Sequence, residues 1–149
     1  MLDAFSGVTE FVRMTEAREH DRKFLYHLQL AANSWLVFDK AYNVYHQFAK
    51  WTTQKVWFVT RMKDNADFHV TKVLVDKTKR KNARGVLKEQ YITVGVKQNG
   101  KVDRLKLRRI TFKTEEGKVY VFITNNFTLP ASQIATYHLQ EPLDDRITF

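Results

Sequence analysis

Asp39 is the residue best placed to do chemistry. It closes an unbroken apolar run, Trp35-Leu36-Val37-Phe38, that follows Ser34. A continuous run of this kind reads as a strand buried on both faces. A carboxylate at the carboxyl end of such a strand stands where open α/β sheets gather ligands. The position also suits a helix N-cap, since residues 44–51 look helical and Asp is a favoured cap, so spacing alone leaves both roles open. His20 and Asp21 are neighbours in sequence; such a pair could serve metal binding or proton transfer, but a polar helix entry is the favoured reading.

The other chemistry-bearing groups are cations. The net charge is +9 and the pI about 9.8. Residues 71–114 hold fourteen Lys and Arg against three Asp and Glu, while the rest of the chain is slightly acidic. A positive patch confined to one region points to a polyanionic partner, with nucleic acid favoured over a plain solvated face. Within it Lys79, Arg80, Lys81 and Arg84 fall in residues 77–84, which lack periodicity and read as a mobile basic loop.

Composition removes several classes. There is no cysteine, hence no disulfide framework and no thiolate metal site. No apolar run reaches the ~18 residues of a membrane-spanning helix, and residues 1–5 lack the basic start of a secretion signal. A cytoplasmic protein with no membrane partner is the expectation. At 149 residues and 44% apolar, with two prolines and five glycines, the chain is long and hydrophobic enough for one well-packed core.

Around Asp39 the pattern predicts alternating elements. Residues 4–15 read as a hairpin or bent strand and 21–28 as a helix. Val44, Tyr45, Phe48 and Trp51 form a helical stripe, followed by a second buried strand over 56–60 in which Trp57 is expected to pack beside that helix. Strand–helix–strand with a short crossover implies parallel pairing, so the sheet is expected to be mixed α/β. From His69 onward, short β segments at 70–75, 91–96, 105–112 and 119–124 alternate apolar with Lys or Arg, as half-exposed antiparallel strands do. Residues 129–137 begin a helix with Pro130 at its entry, and its apolar face looks unfinished where 141–149 break the period.

Three stretches, in order, carry a resemblance: Val37-Phe38-Asp39-Lys40-Ala41-Tyr42, then Phe58-Val59-Thr60-Arg61-Met62-Lys63-Asp64-Asn65, then Phe122-Ile123-Thr124-Asn125-Asn126-Phe127 followed by Ile134-Ala135. With Thr15-Glu16 and His20-Asp21, the pattern resembles the DDE-type insertion-sequence transposases, in the branch marked by a Tyr-Arg-Glu-Lys signature. The resemblance implies an RNase H-like α/β fold carrying a β-rich basic insertion and incomplete at both ends. It divides the chain into a partial catalytic core at 1–66, the insertion at 67–128, and the start of the last helix with a divergent tail at 129–149. Asp39 matches the second acid of the catalytic triad, and Tyr42, Arg61, Lys63 and Asn65 match positions around the DNA cleft. The implied partners are DNA, as transposon ends and target, and an intact transposase as dimer mate.

The family's chemistry is in-line displacement at phosphorus, with two Mg²⁺ or Mn²⁺ ions flanking the phosphate. Asp39 would be the acid that bridges them. The sequence departs from the family at the other two acids. Asp3 does not match the first, and after Tyr137 stand His138-Leu139-Gln140-Glu141 in place of Arg-Trp. Asp144 lies at a compatible distance from Tyr137, but Pro142 precedes it, and proline inside a helix costs about 3 kcal/mol. The expectation is a truncated, catalytically incomplete transposase. The alternative is a DNA-binding fragment that modulates an intact transposase without catalysis.

Overall fold

The computed structural model describes residues 8, 10–14, 22–40, 45–140 and 147–148. Its strands are β1 (Phe11–Arg13), β2 (Trp35–Lys40), β3 (Trp57–Arg61), β4 (His69–Asp76), β5 (Gly85–Gln98), β6 (Lys101–Lys113), β7 (Val119–Thr124) and β8 (Ile147–Thr148). All eight join one sheet in the order β4-β5-β6-β7-β3-β2-β1-β8. Strands β8, β1, β2 and β3 pair in parallel, and every pairing from β3 through β7 to β4 is antiparallel. The helices among the described residues are α1 (Arg22–His27), α2 (Tyr45–Thr53) and α3 (Ala131–Leu139).

The unbroken apolar run of β2 follows from a sheet covered on both sides. Successive strand side chains point to opposite faces, so Leu36 and Phe38 pack with α2 while Trp35 and Val37 pack with α3, each at 3% exposure or less. On the α2 side Phe48 stacks on Phe58 at 4.0 Å and Trp51 on Phe38 at 5.6 Å. On the α3 side Tyr137 meets Phe11 and Trp35 edge-on at 5.4 and 4.9 Å. Full burial of one such side chain is worth roughly 1.5–3 kcal/mol, and these two clusters fix both helices.

The mixed α/β sheet is as expected, with β2 and β3 adjacent and parallel in register from Trp35↔Trp57 to Phe38↔Thr60. Some details differ. Of the hairpin or bent strand expected over 4–15, the described part, Phe11–Arg13, is a strand parallel to β2, and residues 4–7, 9 and 15 lie outside the described residues. Val12 faces the α2 cluster and Phe11 the α3 cluster, so this strand is apolar on both sides and sits between β2 and β8. Trp57 is half-buried on the α3 side, because alternation gives the α2 side to Phe58. Helix α3 buries Ala131, Ile134, Ala135 and Tyr137, and residues 141–146, where the period is expected to break, lie outside the described residues.

The β5–β6 hairpin is longer than the hydrophobic pattern suggested, since its polar ends continue the ladder to Gln98↔Lys101. Asn99 and Gly100 at the tip have φ of 52° and 76°, the left-handed pair that a two-residue hairpin turn requires. Arg108, expected to point outward, is buried; its guanidinium meets the Glu89 carboxylate at 2.9 Å and donates to the carbonyls of Asn126 and Leu129. The segment that returns to α3 covers this part of the sheet, so a simple in–out alternation fails there.

Candidate functional site

Strands β1, β2 and β3 end side by side, and each brings a charged residue to that edge: Arg13, Asp39 and Arg61. Arg13 and Arg61 share side-chain parity with Phe11 and Val59, and Asp39 with Val37, which all pack toward α3. The pairing of β2 with β3 steps from Phe38↔Thr60 to Lys40↔Arg61, so Asp39 is the extra residue of a bulge. Bulges re-aim a side chain and are frequent beside active sites.

Helix α3 ends at the same edge. The Arg13 guanidinium donates to the carbonyls of Tyr137, His138 and Gln140 at 3.2, 3.1 and 2.9 Å, satisfying last-turn acceptors and opposing the negative end of the helix dipole. His138 is buried with Nε2 2.7 Å from the Phe38 carbonyl oxygen. A carbonyl only accepts, so Nε2 carries the hydrogen. Burial pushes the His138 pKa down to about 4, the Phe38 bond resists this, and the charges of Arg13 and Arg61 assist it against Asp39. The imidazole is therefore neutral at pH 7.

Arg61 grips the bulge twice, from Nε to the Asp39 carbonyl and from Nη2 to Asp39 Oδ2, both at 3.0 Å. The two side chains are 33% and 60% exposed, so the pair contributes at most about 1 kcal/mol; its consequence is geometric, since it orients both groups. Together with Arg13, Lys118, Tyr120 and His138 they line an open cleft of about 520 Å³. Lys118 extends over the Tyr120 ring with Nζ 4.8 Å from its centre.

The other sequence-predicted residues fall in three places. Lys63 and Asn65 line a second cleft of about 440 Å³ with Tyr45, Asp67 and Arg104. Lys79, Arg80, Lys81 and Arg84 are exposed on the β4–β5 connection. Tyr42, His20, Asp21 and Asp144 lie outside the described residues.

Sheet register relates the loop to the Asp39 cleft. The pairs Asp76↔Lys88, Gly85↔Lys113, Lys113↔Val119 and Arg61↔Phe122 put the β4–β5 loop, the β6–β7 turn and the ends of β2 and β3 at one edge. Arg84 Nε bonds the Glu115 carbonyl in that turn at 3.5 Å. Five strand spacings separate β4 from β2, about 24 Å at ~4.8 Å each. The β5–β6 tip, with Lys97 and Lys101, is at the opposite end.

Two divalent ions need several hard oxygen ligands. Among the described residues no three of His, Cys, Asp and Glu come together. The carboxylate that Asp39 offers is engaged by Arg61, and the cleft adds Arg13 and Lys118. A dication there would be drawn by the Asp39 carboxylate but opposed by the guanidinium of Arg61 that already holds it and by the other cations of the cleft. The residues described do not fit a two-ion site. Sequence reasoning missed Arg13, Lys118, Tyr120 and His138; for Arg13 the signal was a cation closing a short apolar strand, as Asp39 closes its own.

The family described as "Transposase DDE domain" matches residues 1–139. A protein of Sinorhizobium fredii (strain NBRC 101917 / NGR234) named "Putative transposase y4zB" is 25% identical over 136 residues, which cover 91% of this chain and 38% of that relative. The chain thus spans well under half the length of the curated relative that it matches. No solved structure matches.

Proposed function

The chain belongs to the family of transposase DDE domains, with an RNase H-like mixed α/β sheet, and from that premise we propose that it acts on DNA as a binding part of a transposase catalytic domain and does not cut DNA alone. One observation carries this reading: the sheet register lines up the Asp39 cleft and the basic β4–β5 loop along the same edge. An edge of about 24 Å matches about seven base pairs at ~3.4 Å each. Binding through Lys79, Arg80, Lys81 and Arg84 engages phosphates, so it carries little sequence preference.

Asp39 stands at the place of the family's second acid. In the parent chemistry that acid holds divalent ions; the described residues around it here do not make such a donor set, which supports catalytic incompleteness of this chain taken alone. A DNA-binding chain without chemistry would compete with an intact transposase for the same ends, and mixing the two in a strand-transfer assay should then inhibit.

The test is duplex binding as a function of salt. Affinity should fall linearly in log–log form, and changing Lys79, Arg80 and Lys81 to Ala should lower the slope by up to about 2.7, at ~0.9 per phosphate lost. Supercoiled plasmid with Mg²⁺ or Mn²⁺ should stay intact. Salt-independent affinity defeats the DNA-binding reading, and robust metal-dependent nicking defeats the claim of incompleteness.

A further inference from the structure

We infer that the cleft beside Asp39 seats a phosphodiester of the DNA backbone directly on Arg61 and Lys118, with no divalent ion between, and that Asp39 serves there as the counter-charge that positions Arg61. This rests on the DNA-binding reading above and names the ligand of the same edge. The donor inventory leads to it. Arg61 spends Nε and one Nη2 hydrogen on Asp39; its Nη1 hydrogens have no protein acceptor among the described residues. The Lys118 ammonium rests on the Tyr120 ring and likewise has no hydrogen-bond acceptor among the described residues. Both line the open cleft, whose volume admits a phosphate with its sugar links. A guanidinium fork and a flexible ammonium suit phosphate oxygens.

The remaining lining agrees with an anion. Among the described residues Arg13, Arg61 and Lys118 face one carboxylate, Asp39. The Arg13 guanidinium is committed to the end of α3, so it adds field more than direct contact. Neutral His138 donates Nε2–H to Phe38 and adds no charge. The Lys118 turn joins the cleft to the Arg84 end of the basic loop through the Glu115 carbonyl, so a strand seated in the cleft can continue along the loop.

Asp39 separates this inference from a metal site. A metal ligand changed to its amide loses the ion and with it any metal-assisted DNA contact. A counter-charge changed to its amide still offers an oxygen to Arg61, keeps the backbone carbonyl bond, and removes a negative charge from beside the phosphate. The full chain and a fluorescent 20-base-pair duplex are titrated by anisotropy in EDTA, and again with Mn²⁺, across a salt series. Lys118→Ala, exposed and safe for folding, should weaken binding in EDTA and lower the salt slope by about 0.9. Arg61→Ala should do the same, with Arg61→Lys keeping the slope. Asp39→Asn should tighten binding severalfold, and Mn²⁺ should give the wild type no gain beyond its ionic strength.

The inference is overturned if Asp39→Asn weakens binding, if Mn²⁺ raises wild-type affinity in an Asp39-dependent way, or if neither Lys118→Ala nor Arg61→Ala changes the slope. In that last case a loss confined to the Lys79, Arg80 and Lys81 variant leaves DNA binding standing without the cleft. A wild type that binds no duplex at low salt brings down the DNA-binding reading itself. Inorganic phosphate as competitor completes the set: displacement at millimolar phosphate that is lost in Lys118→Ala supports the seat, and equal displacement from the variant counts against it.

Discussion

Lowering the pH from 7 to 4.5 should destabilise this protein, and a defined share of the loss should trace to His138. The imidazole is buried against Phe122, with ring centres 4.7 Å apart, and bonds the Phe38 carbonyl at 2.7 Å. Its pKa in the folded chain is about 4, against 6.5 when exposed. Between these values the unfolded chain binds the proton and the folded one does not. The contribution is therefore complete above pH 6.5 and is lost as pH falls toward 4, below which it stays constant. At 1.36 kcal/mol per pH unit the whole gap is worth about 3 kcal/mol, most of it gone by pH 4.5. Urea unfolding at both pH values, on wild type and His138→Gln, isolates the effect from the carboxylates and the other histidines. A glutamine amide can donate to the same carbonyl and does not titrate, so the variant should lose about 2 to 3 kcal/mol less on acidification. Equal losses in the two proteins would refute the buried neutral imidazole.

Two further outcomes concern buried polar groups that hold the sheet together. Arg108→Met should cost about 3–5 kcal/mol because it leaves the Glu89 carboxylate buried and unpaired, and adding Glu89→Leu should restore most of that loss in a double-mutant cycle by chemical denaturation. The Asn125 side chain accepts from the Phe58 N–H and donates to the Val56 carbonyl, both at 2.9 Å. Asn125→Ala should cost about 1–3 kcal/mol per stranded group, with faster hydrogen exchange at the Phe58 amide.

In the parallel half of the sheet the β2–β3 pair could be read from the chain, because burial on both faces produces the unbroken run 35–38 and helical spacing marks Phe48 and Trp51. The pairings of β1 and β8 could not, because those strands are too short to show a period. Trp57 and Phe58 show the limit: alternation is visible, but which neighbour faces which helix depends on strand order. Arg108 shows another, since a buried cation looks like an exposed one until its partner Glu89, on the neighbouring strand, is found. Asp39 was legible as a carboxylate closing the run 35–38, and Arg61 as a candidate through the resemblance. Their contact was not, because it depends on a one-residue bulge with no local signal. Arg13 and His138 are 125 residues apart in sequence, and only the sheet places the guanidinium of one on the carbonyl of the other.

Both ends of the sheet carry lysines, but only the end with the Asp39 cleft is proposed to meet DNA. A titration of ¹⁵N-labelled protein with a short duplex at low salt, read residue by residue, tests this most directly. Shifts should concentrate at Arg61, at residues 77–84 and at residues 113–118, with residues 98–101 at the far tip unmoved. Shifts centred on the 98–101 tip, with residues 61, 77–84 and 113–118 silent, would contradict the assignment of DNA to the carboxyl edge.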